Sequence, residues 1–376
     1  MVDVSVVIPS LNEAGTIGKC IEKIKAVFKR YKIDGEIIVA DNSDDETPKI
    51  AMALGAKVVT PDKKGYGYAY IYGFKHARGK FIVMGDADNT YDFSEMPRLL
   101  EPLMKDEADL VIGSRFKGEI KPGAMPWLHR YVGNPILTGF LNLFFKVGVS
   151  DAHCGFRAIR RDALEKIKLR SHGMEFASEM LMEAIRRRLR IKEVPITYYP
   201  RESGESKLSS FSDGWRHLKF MMLYAPTHLY LIPGLLFGIL GIFLMFSSYF
   251  EINIGYIPGF HSMILGSLLL IAGYQILYLG IFAKIYGIHM DLLNPDKVTF
   301  FILKHFSLEK GVILGLLIFL AGFIYSGFLV ARWFKSGFTV LPLRGESMIA
   351  YTLVVIGLET FFNAFFLSML SSRWEA

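Results

Sequence analysis

Two patterns of apolar spacing divide this chain. Up to about residue 226, short β-branched runs alternate with stretches of helical period. Val4–Ile8, Glu36–Ala40, Lys57–Val59, Lys80–Met84 and Asp109–Ile112 read as strands, and Ala14–Tyr31, Pro48–Leu54, Gly67–Ala77 and Ser94–Met104 as helices. Strand and helix in alternation predict an α/β domain, Rossmann-like, around a mostly parallel sheet. From residue 227 the alternation gives way to long apolar stretches. Leu229–Phe250, Ser262–Ala283 and Gly311–Ala331 carry no charge, and Ser347–Ser372 is interrupted only by Glu359. Each is long enough for the roughly 20-residue helix that crosses about 30 Å of hydrocarbon. The pattern predicts residues 1–226 as a water-soluble domain and 227–376 as an all-α transmembrane domain of four helices, spanning about 229–250, 262–283, 311–331 and 347–372.

The charge follows the same division. Of 43 Lys+Arg and 36 Asp+Glu, residues 227–376 hold only eight and seven, leaving 35 and 29 in the first part. The overall +7 therefore belongs to an ordinary charged domain beside a nearly uncharged one. It does not indicate a nucleic-acid partner. A hydrophobic share of 52% excludes disorder, and two cysteines, Cys20 and Cys154, make neither a disulfide framework nor a zinc spacing. Residues 251–261 contain no Lys or Arg, whereas 284–310 contain Lys284, Lys297, Lys304 and Lys310, and a basic run from Arg186 to Lys219 precedes the first span. By the positive-inside rule the first domain, the 284–310 loop and the C-terminus are expected in the cytoplasm of an integral membrane protein. The opening MVDVSVVIPS is a strand pattern, without the basic-then-apolar form of a signal peptide.

Ligands of open α/β sheets bind beyond the carboxyl ends of the strands, so the polar residues that follow each strand carry the candidate chemistry. Gly85-Asp86-Ala87-Asp88 places two carboxylates at i and i+2 after an apolar run. Their mutual repulsion is relieved by a cation, and few hard oxygen ligands suit Mg²⁺ or Mn²⁺ completed by water and substrate phosphates. Asp41 can accept from a base or ribose, and Gly65-Tyr66-Gly67 offers close backbone approach. Together these favour a nucleoside diphosphate held with a divalent ion.

Seven ordered motifs occur between residue 1 and about 225: VVIPSLNEAGTI, VADNSDDET, KKGYGYAYIYGF, GDAD, VIGSR at 111–115, DAHCGFRAIRR at 151–161 and GESKLS at 204–209. In these the chain resembles the family 2 glycosyltransferases of GT-A fold, and among them the polyprenyl-phosphate hexosyltransferases related to dolichyl-phosphate mannose and glucose synthases. The resemblance implies a nucleoside pocket lined by Pro9, Glu13, Asp41 and Gly65, with Asp86 near the ribose and Asp88 holding the metal on the diphosphate. It implies a lipid phosphate received by Arg115, Arg130, Arg201, Ser206 and Lys207, with Asp88, Arg115, Arg130 and Lys207 as the catalytic set. Where mannose synthases commonly have Gln as a metal ligand, this chain has Thr90, with Asp92 a substitute. The NTYDF form resembles the branch using UDP-glucose or UDP-N-acetylglucosamine, with GDP-mannose as the alternative donor.

A phosphate acceptor is already an anion and needs cations to position it rather than a base to deprotonate it. Arginine's planar fork matches its oxygens two at a time. The expected reaction is an in-line displacement at the sugar C1 that inverts the anomeric centre. Aromatic and basic residues interspersed near 124–147 and 209–225 predict helices lying in the headgroup region of a bilayer. Asp151 and Glu179 are candidates for donor-sugar hydroxyls, while His153 and Cys154 read as structural. Glu359 is costly inside a span and therefore a functional candidate. A processive polysaccharide synthase is the nearest alternative enzyme. Its QxxRW motif is missing, the Arg373-Trp374 pair having Leu370 in the Gln position. A non-enzymatic lipid transporter is the other alternative, against which the intact Asp86 and Asp88 argue.

Overall fold

The structure is a computed structural model that describes residues 2–203, 210–305, 307–338 and 344–371. It divides into two compact units, Met1–Met221 and Met222–Ala376. The division falls in the last turn of the helix Ser210–Leu223, a few residues before the change of composition at 226.

The first unit is built on seven strands: β1 Val4–Ser10, β2 Gly35–Asp41, β3 Lys57–Val59, β4 Phe81–Met84, β5 Leu110–Ile120, β6 Arg157–Arg160 and β7 Ile191–Tyr198. The α-helices among its described residues are α1 Ile17–Tyr31, α2 Thr47–Ala53, α3 Tyr66–Phe74, α4 Met96–Met104, α5 Asn134–Phe145, α6 Arg161–Leu164, α7 Phe176–Arg186 and α8 Ser210–Leu223. The strands lie in the order β3-β2-β1-β4-β6-β5-β7. Only β6 runs antiparallel, to both β4 and β5. All seven residues of β1 are buried, which suits a central strand covered on both faces. On one face Val6, Ile8 and Val83 pack with Ile17, Ile21 and Ile24 of α1 and with Leu99 and Leu100 of α4. On the other, α3 comes so close that a Cβ on Gly73 would lie 2.5 Å from Val7. The chain returns to β2 on one side of β1 and to β4 on the other. The carboxyl end of β1 is therefore the switch point of the sheet, where such folds bind ligands.

The five strands read from the sequence are present, and two more complete the sheet. β6 is four residues with charged ends, and β7 is a half-exposed edge strand that carries Pro195, so neither shows a long apolar run. β5 also continues past Ile112 to Ile120, pairing with β7 across an irregularity between Ser114 and Glu119. Its outer half is exposed and lacks the β-branched run that marks its start.

The second unit comprises α9 Ile232–Tyr249, α10 Phe260–His289, α11 Lys297–His305, α12 Leu308–Lys335 and α13 Arg344–Ser371. Among the described residues four helices are long and apolar enough to span a membrane: Thr227–Tyr249, Phe260–His289, Leu308–Lys335 and Gly345–Ser371, with mean hydropathies of 2.4, 1.9, 2.4 and 1.9. Their many exposed Leu, Ile and Phe side chains, such as Leu236, Phe243, Ile313 and Phe323, are what a lipid solvent permits. α9 packs on α10, and α12 on α13, through glycines at which the backbones nearly touch. A Cβ on Gly241 would lie 2.5 Å from Leu270 N, and one on Gly357 2.3 Å from Phe319 N.

Candidate active site

The loops that follow β1, β2 and β4 meet at the switch point. The first two are zipped together by hydrogen bonds: Asn12 N donates to Ser43 Oγ at 2.7 Å, Asp44 N to Asn12 Oδ1 at 3.0 Å, and Glu13 N to Thr47 Oγ1 at 2.9 Å. Asp41 ends β2 as a buried carboxylate that accepts from Ser10 Oγ, from Ser43 N at 3.1 Å and from Ser43 Oγ at 2.6 Å. Pro9 and Ser10, in the buried end of β1, lie beside it in the sheet register.

Asp86 follows β4 and is held by tyrosines of α3. Tyr66 donates to its Oδ1 at 3.0 Å and Tyr70 at 3.4 Å. The two tyrosines are four residues apart on one helix face and pack on Phe176 of α7, with Tyr70 stacked at 5.4 Å. Burial pushes the Asp86 carboxyl up to about 7, and the charge of Asp88 adds to the push. The two tyrosine hydrogen bonds and the charge of Arg115 pull it back. Gly65 and Gly67 do provide close backbone approach, but to protein. A Cβ at either would lie 2.4 Å or 2.3 Å from the carbonyls of His172 and Ser171.

Asp88 accepts from Thr90 N at 3.1 Å and Thr90 Oγ1 at 2.6 Å through Oδ1, while its Oδ2 faces Arg201 Nη1 at 3.1 Å. Arg201 Nη2 also pairs with Glu13, and its Nε donates to Ser203 O at 2.8 Å. Arg201 reaches this place because β7 is tied to the loop after β4. Tyr91 and Tyr198 form an isolated bridge, and Tyr199 N donates to Thr90 O at 2.9 Å. One arginine thus joins the acid expected at the nucleoside to the acid expected at the metal. Asp92 is turned elsewhere: it accepts from Ser94 N at 3.1 Å and lies 3.3 Å from Lys23 Nζ. The residue that the sequence offers as a substitute metal ligand thus caps the short helix Phe93–Glu95.

Arg115 is almost fully buried, and its fork is engaged by Asp151, Nε to Oδ2 at 2.7 Å and Nη2 to Oδ1 at 2.8 Å. Its guanidinium lies 5.1 Å from the ring centre of Tyr198. Burial raises the Tyr198 hydroxyl, Arg115 draws it down, and Asp88 and Asp86 push it up, so these charges surround one ring. Asp151 has no exposure and is committed to Arg115, and Glu179 accepts from the backbone of Arg170 at 2.9 Å and of Ser171 at 2.8 Å. Both were candidates for sugar hydroxyls. In the structure they serve as an internal ion pair and a loop anchor. The cation Arg157 is also buried and is satisfied by the carbonyls of Ala152, Cys154 and Ala177, each at 2.8 Å. It locks the 151–157 loop that carries Asp151.

Arg130 lies on a π-helical turn, His129–Gly133, that leads into α5. Its guanidinium sits 5.4 Å from the Tyr131 ring, and no ion pair among the described residues links it to the acidic group. Around it Trp127, Leu128, Tyr131, Ile136 and Leu143 are exposed, as is Trp215 on α8. Ser206 and Lys207 lie outside the described residues.

The donor set suits a hard divalent cation, since Asp86 and Asp88 offer only carboxylate oxygens and one Asp88 oxygen already faces a positive group. Among the described residues no group of three or more His, Cys, Asp and Glu side chains forms a ready cage. An ion here would take the rest of its shell from water and substrate. Tyr66 and Tyr70 were missed as partners of Asp86. Their four-residue spacing in GYGYAYIYGF was the available signal.

Comparison with known proteins decides the family. Residues 5–168 match the glycosyl transferase family 2 model, and residues 281–371 match the family 2 C-terminal transmembrane region. The chain is 47% identical over 367 residues to the low-salt glycan biosynthesis hexosyltransferase Agl6 of Haloferax volcanii, covering 97% of this chain and 88% of that protein. It is a family 2 glycosyltransferase. A dolichyl-phosphate hexose transferase of the same organism is 34% identical over 216 residues, covering 56% of this glycosyltransferase and 89% of that protein. Among solved structures, glucosyl-3-phosphoglycerate synthase from Mycobacterium tuberculosis, in complex with Mn²⁺ and UDP-glucose, aligns with a TM-score of 0.48 at 25% identity, over 59% of this chain and 78% of that one. The match to the transmembrane region and the four apolar helices make this glycosyltransferase a membrane protein.

Proposed function

We propose that this glycosyltransferase moves a hexose, from UDP-glucose or UDP-N-acetylglucosamine, to the phosphate of dolichyl or another polyprenyl phosphate. The product would be a lipid-linked sugar donor for glycan assembly. The observation that carries this reading is the Glu13–Arg201–Asp88 bridge. It sets a cationic arm suited to an acceptor phosphate directly beside the carboxylate suited to a donor diphosphate. The functions of the relatives, hexosyl transfer in glycan biosynthesis and dolichyl-phosphate hexose transfer, support the same substrate classes.

In this reading Asp41 and Glu13 hold the nucleoside, and Asp88, assisted by Asp86, holds Mg²⁺ or Mn²⁺. The bound ion would neutralise charge on the departing nucleoside diphosphate. Arg201 exchanges its carboxylate partners for the incoming lipid phosphate, with Lys207, Ser206 and Arg130 as further donors. Arg115, fixed by Asp151, contributes positive potential from beneath Tyr198. The lipid phosphate attacks the sugar C1 from the face opposite the leaving group, so no general base is required. The exposed aromatic face around Trp127 and Tyr131 suits the headgroup layer, where a polyprenyl phosphate presents its anion. The Lys and Arg distribution supports a cytoplasmic side for this chemistry.

Purified full-length protein given radiolabelled UDP-glucose, UDP-N-acetylglucosamine or GDP-mannose with dolichyl phosphate in detergent tests the reading. Label in a mild-acid-labile lipid from a UDP-sugar is expected. Label in a long polymer, or none in lipid with any donor, would overturn it, and label from GDP-mannose alone would overturn the donor assignment.

A further inference from the structure

The membrane unit joins its helices in two different ways. Within the α9–α10 and α12–α13 pairs the backbones approach closely through Gly234, Gly241, Gly315, Gly322 and Gly357, and the charged pair Arg332–Glu346 lies at one end of α12–α13. Between α10 and α13 the contact is polar. Ser267 Oγ lies 2.7 Å from Thr352 Oγ1, and Tyr274 hydroxyl lies 2.5 Å from Thr360 Oγ1 and 3.4 Å from Tyr278 hydroxyl. From Ser267 to Tyr278 this seam runs for about 16 Å along α10, half of the roughly 30 Å hydrocarbon thickness.

Glu359 precedes Thr360 of the seam and lies near the middle of the span Gly345–Ser371. Its Oε2 is buried and has no hydrogen-bond partner among the described residues. Interhelical polar pairs alone would be helix glue. A buried carboxyl oxygen left without a partner glues nothing and costs free energy until one arrives. Beside it the rings of Tyr274, Tyr278, Phe282 and Phe366 follow one another at centroid separations of 5.1, 5.8 and 4.7 Å. An unpartnered carboxyl oxygen, hydroxyls able to donate and accept, and a row of aromatic faces together meet both sides of a sugar ring, its hydroxyl edge and its C–H face.

We propose that the α10–α13 seam binds the hydroxyl-rich sugar headgroup of a membrane lipid. Glu359 accepts from the sugar hydroxyls, Thr360 and Tyr274 exchange their mutual bond for the ligand, and the aromatic row lines the carbon face. The proposal rests on the reading above, because a lipid-linked hexose is the amphiphile this enzyme would itself release into the bilayer.

The test uses the full chain in nanodiscs, with Asp88→Asn to prevent turnover. Native mass spectrometry compares retention of a synthetic polyprenyl-phosphate glucose with that of the same polyprenyl phosphate lacking the sugar. The glycosylated lipid is expected to be held about tenfold more strongly. Glu359→Leu, and independently Tyr274→Phe, are expected to abolish that preference while leaving the initial transfer rate of the otherwise unaltered enzyme unchanged. Equal retention of both lipids, or a preference that survives both substitutions while only melting temperature falls, would overturn the site. Because the lipids are supplied ready-made, failure of the transferase reading would show separately, as absence of transfer by the unaltered enzyme.

Discussion

Arg201 holds together two acids far apart in sequence, Glu13 and Asp88, and the account of the active site depends on that bridge being exchangeable. A charge-assisted hydrogen bond contributes about 1.5–3 kcal/mol, and a cation entering at Asp88 must displace one. Arg201→Gln is therefore expected to tighten Mn²⁺ binding to the nucleotide-free protein by about tenfold while lowering turnover, as read by titration calorimetry alongside the transfer assay. Unchanged Mn²⁺ affinity would contradict the exchange. Asp151 makes the opposite case, a carboxylate whose work is internal. Asp151→Asn leaves Arg115 buried without its counter-charge, a loss of about 3–5 kcal/mol, so the melting temperature should fall steeply while the donor KM of the folded fraction is unchanged. A donor KM that rises without loss of stability would restore Asp151 to the sugar site. The residue types of this site were legible in the sequence, and their partners less so. Asp86, Asp88 and Arg201 stand in recognisable motifs, but their pairing is made by the Tyr91–Tyr198 bridge, which joins positions 107 apart. Nothing local announces it. Asp151 and Glu179 looked available for the same reason: a motif records the residue and not its burial.

The elements around the site differ in how they meet solvent. The second residue of β2 is Glu36, whose carboxylate accepts from Ser5 Oγ at 2.7 Å and from Arg78 N, Nε and Nη2 at 2.6, 3.1 and 2.9 Å. Burial pushes this carboxyl up, but the hydrogen bonds from Ser5 and Arg78 outweigh it, and it lies below the usual 4.5. A depressed carboxyl contributes stability that is present above its unfolded pKa and lost as pH falls through its folded one. The melting-temperature advantage of the native protein over Glu36→Gln should therefore be full at pH 6 and shrink below about pH 4.5. An advantage independent of pH would refute the assignment. The stretch from Trp127 through α5 shows the reverse, a segment that leaves large apolar side chains outside, with Trp127 at 68% and Tyr131 at 58% exposure. Substituting both with Asp is expected to raise the KM for a bilayer-borne polyprenyl phosphate about tenfold, with the donor KM unaltered. Equal effects on both substrates would mean that this face supports the fold instead. Central strands and the four long apolar helices were readable because burial or lipid forces an unbroken apolar run. β6 and β7 were not, since a short strand and a half-exposed edge strand can carry charges and a proline without penalty.

Across the whole molecule the division between two solvents was visible in the distribution of charge, and the helices follow it closely. The sequence expected spans at 229–250 and 262–283, and the helices run Thr227–Tyr249 and Phe260–His289. Apolar composition marks where hydrocarbon ends, while the helix itself continues into the headgroup layer, so the ends differ more than the centres. What composition did not indicate is the polar seam between α10 and α13, because single serines, threonines and tyrosines scarcely alter the hydropathy of a span. The family assignment, the acids at the switch point and the arginine beside them all bear on one claim, direct transfer from a nucleotide sugar to a lipid phosphate at the membrane. The anomeric configuration of the lipid-linked hexose made from an α-linked UDP-sugar tests it most directly. A single displacement between opposed donor and acceptor gives the β-linked phosphate; an α-linked product would require a different mechanism and contradict the account.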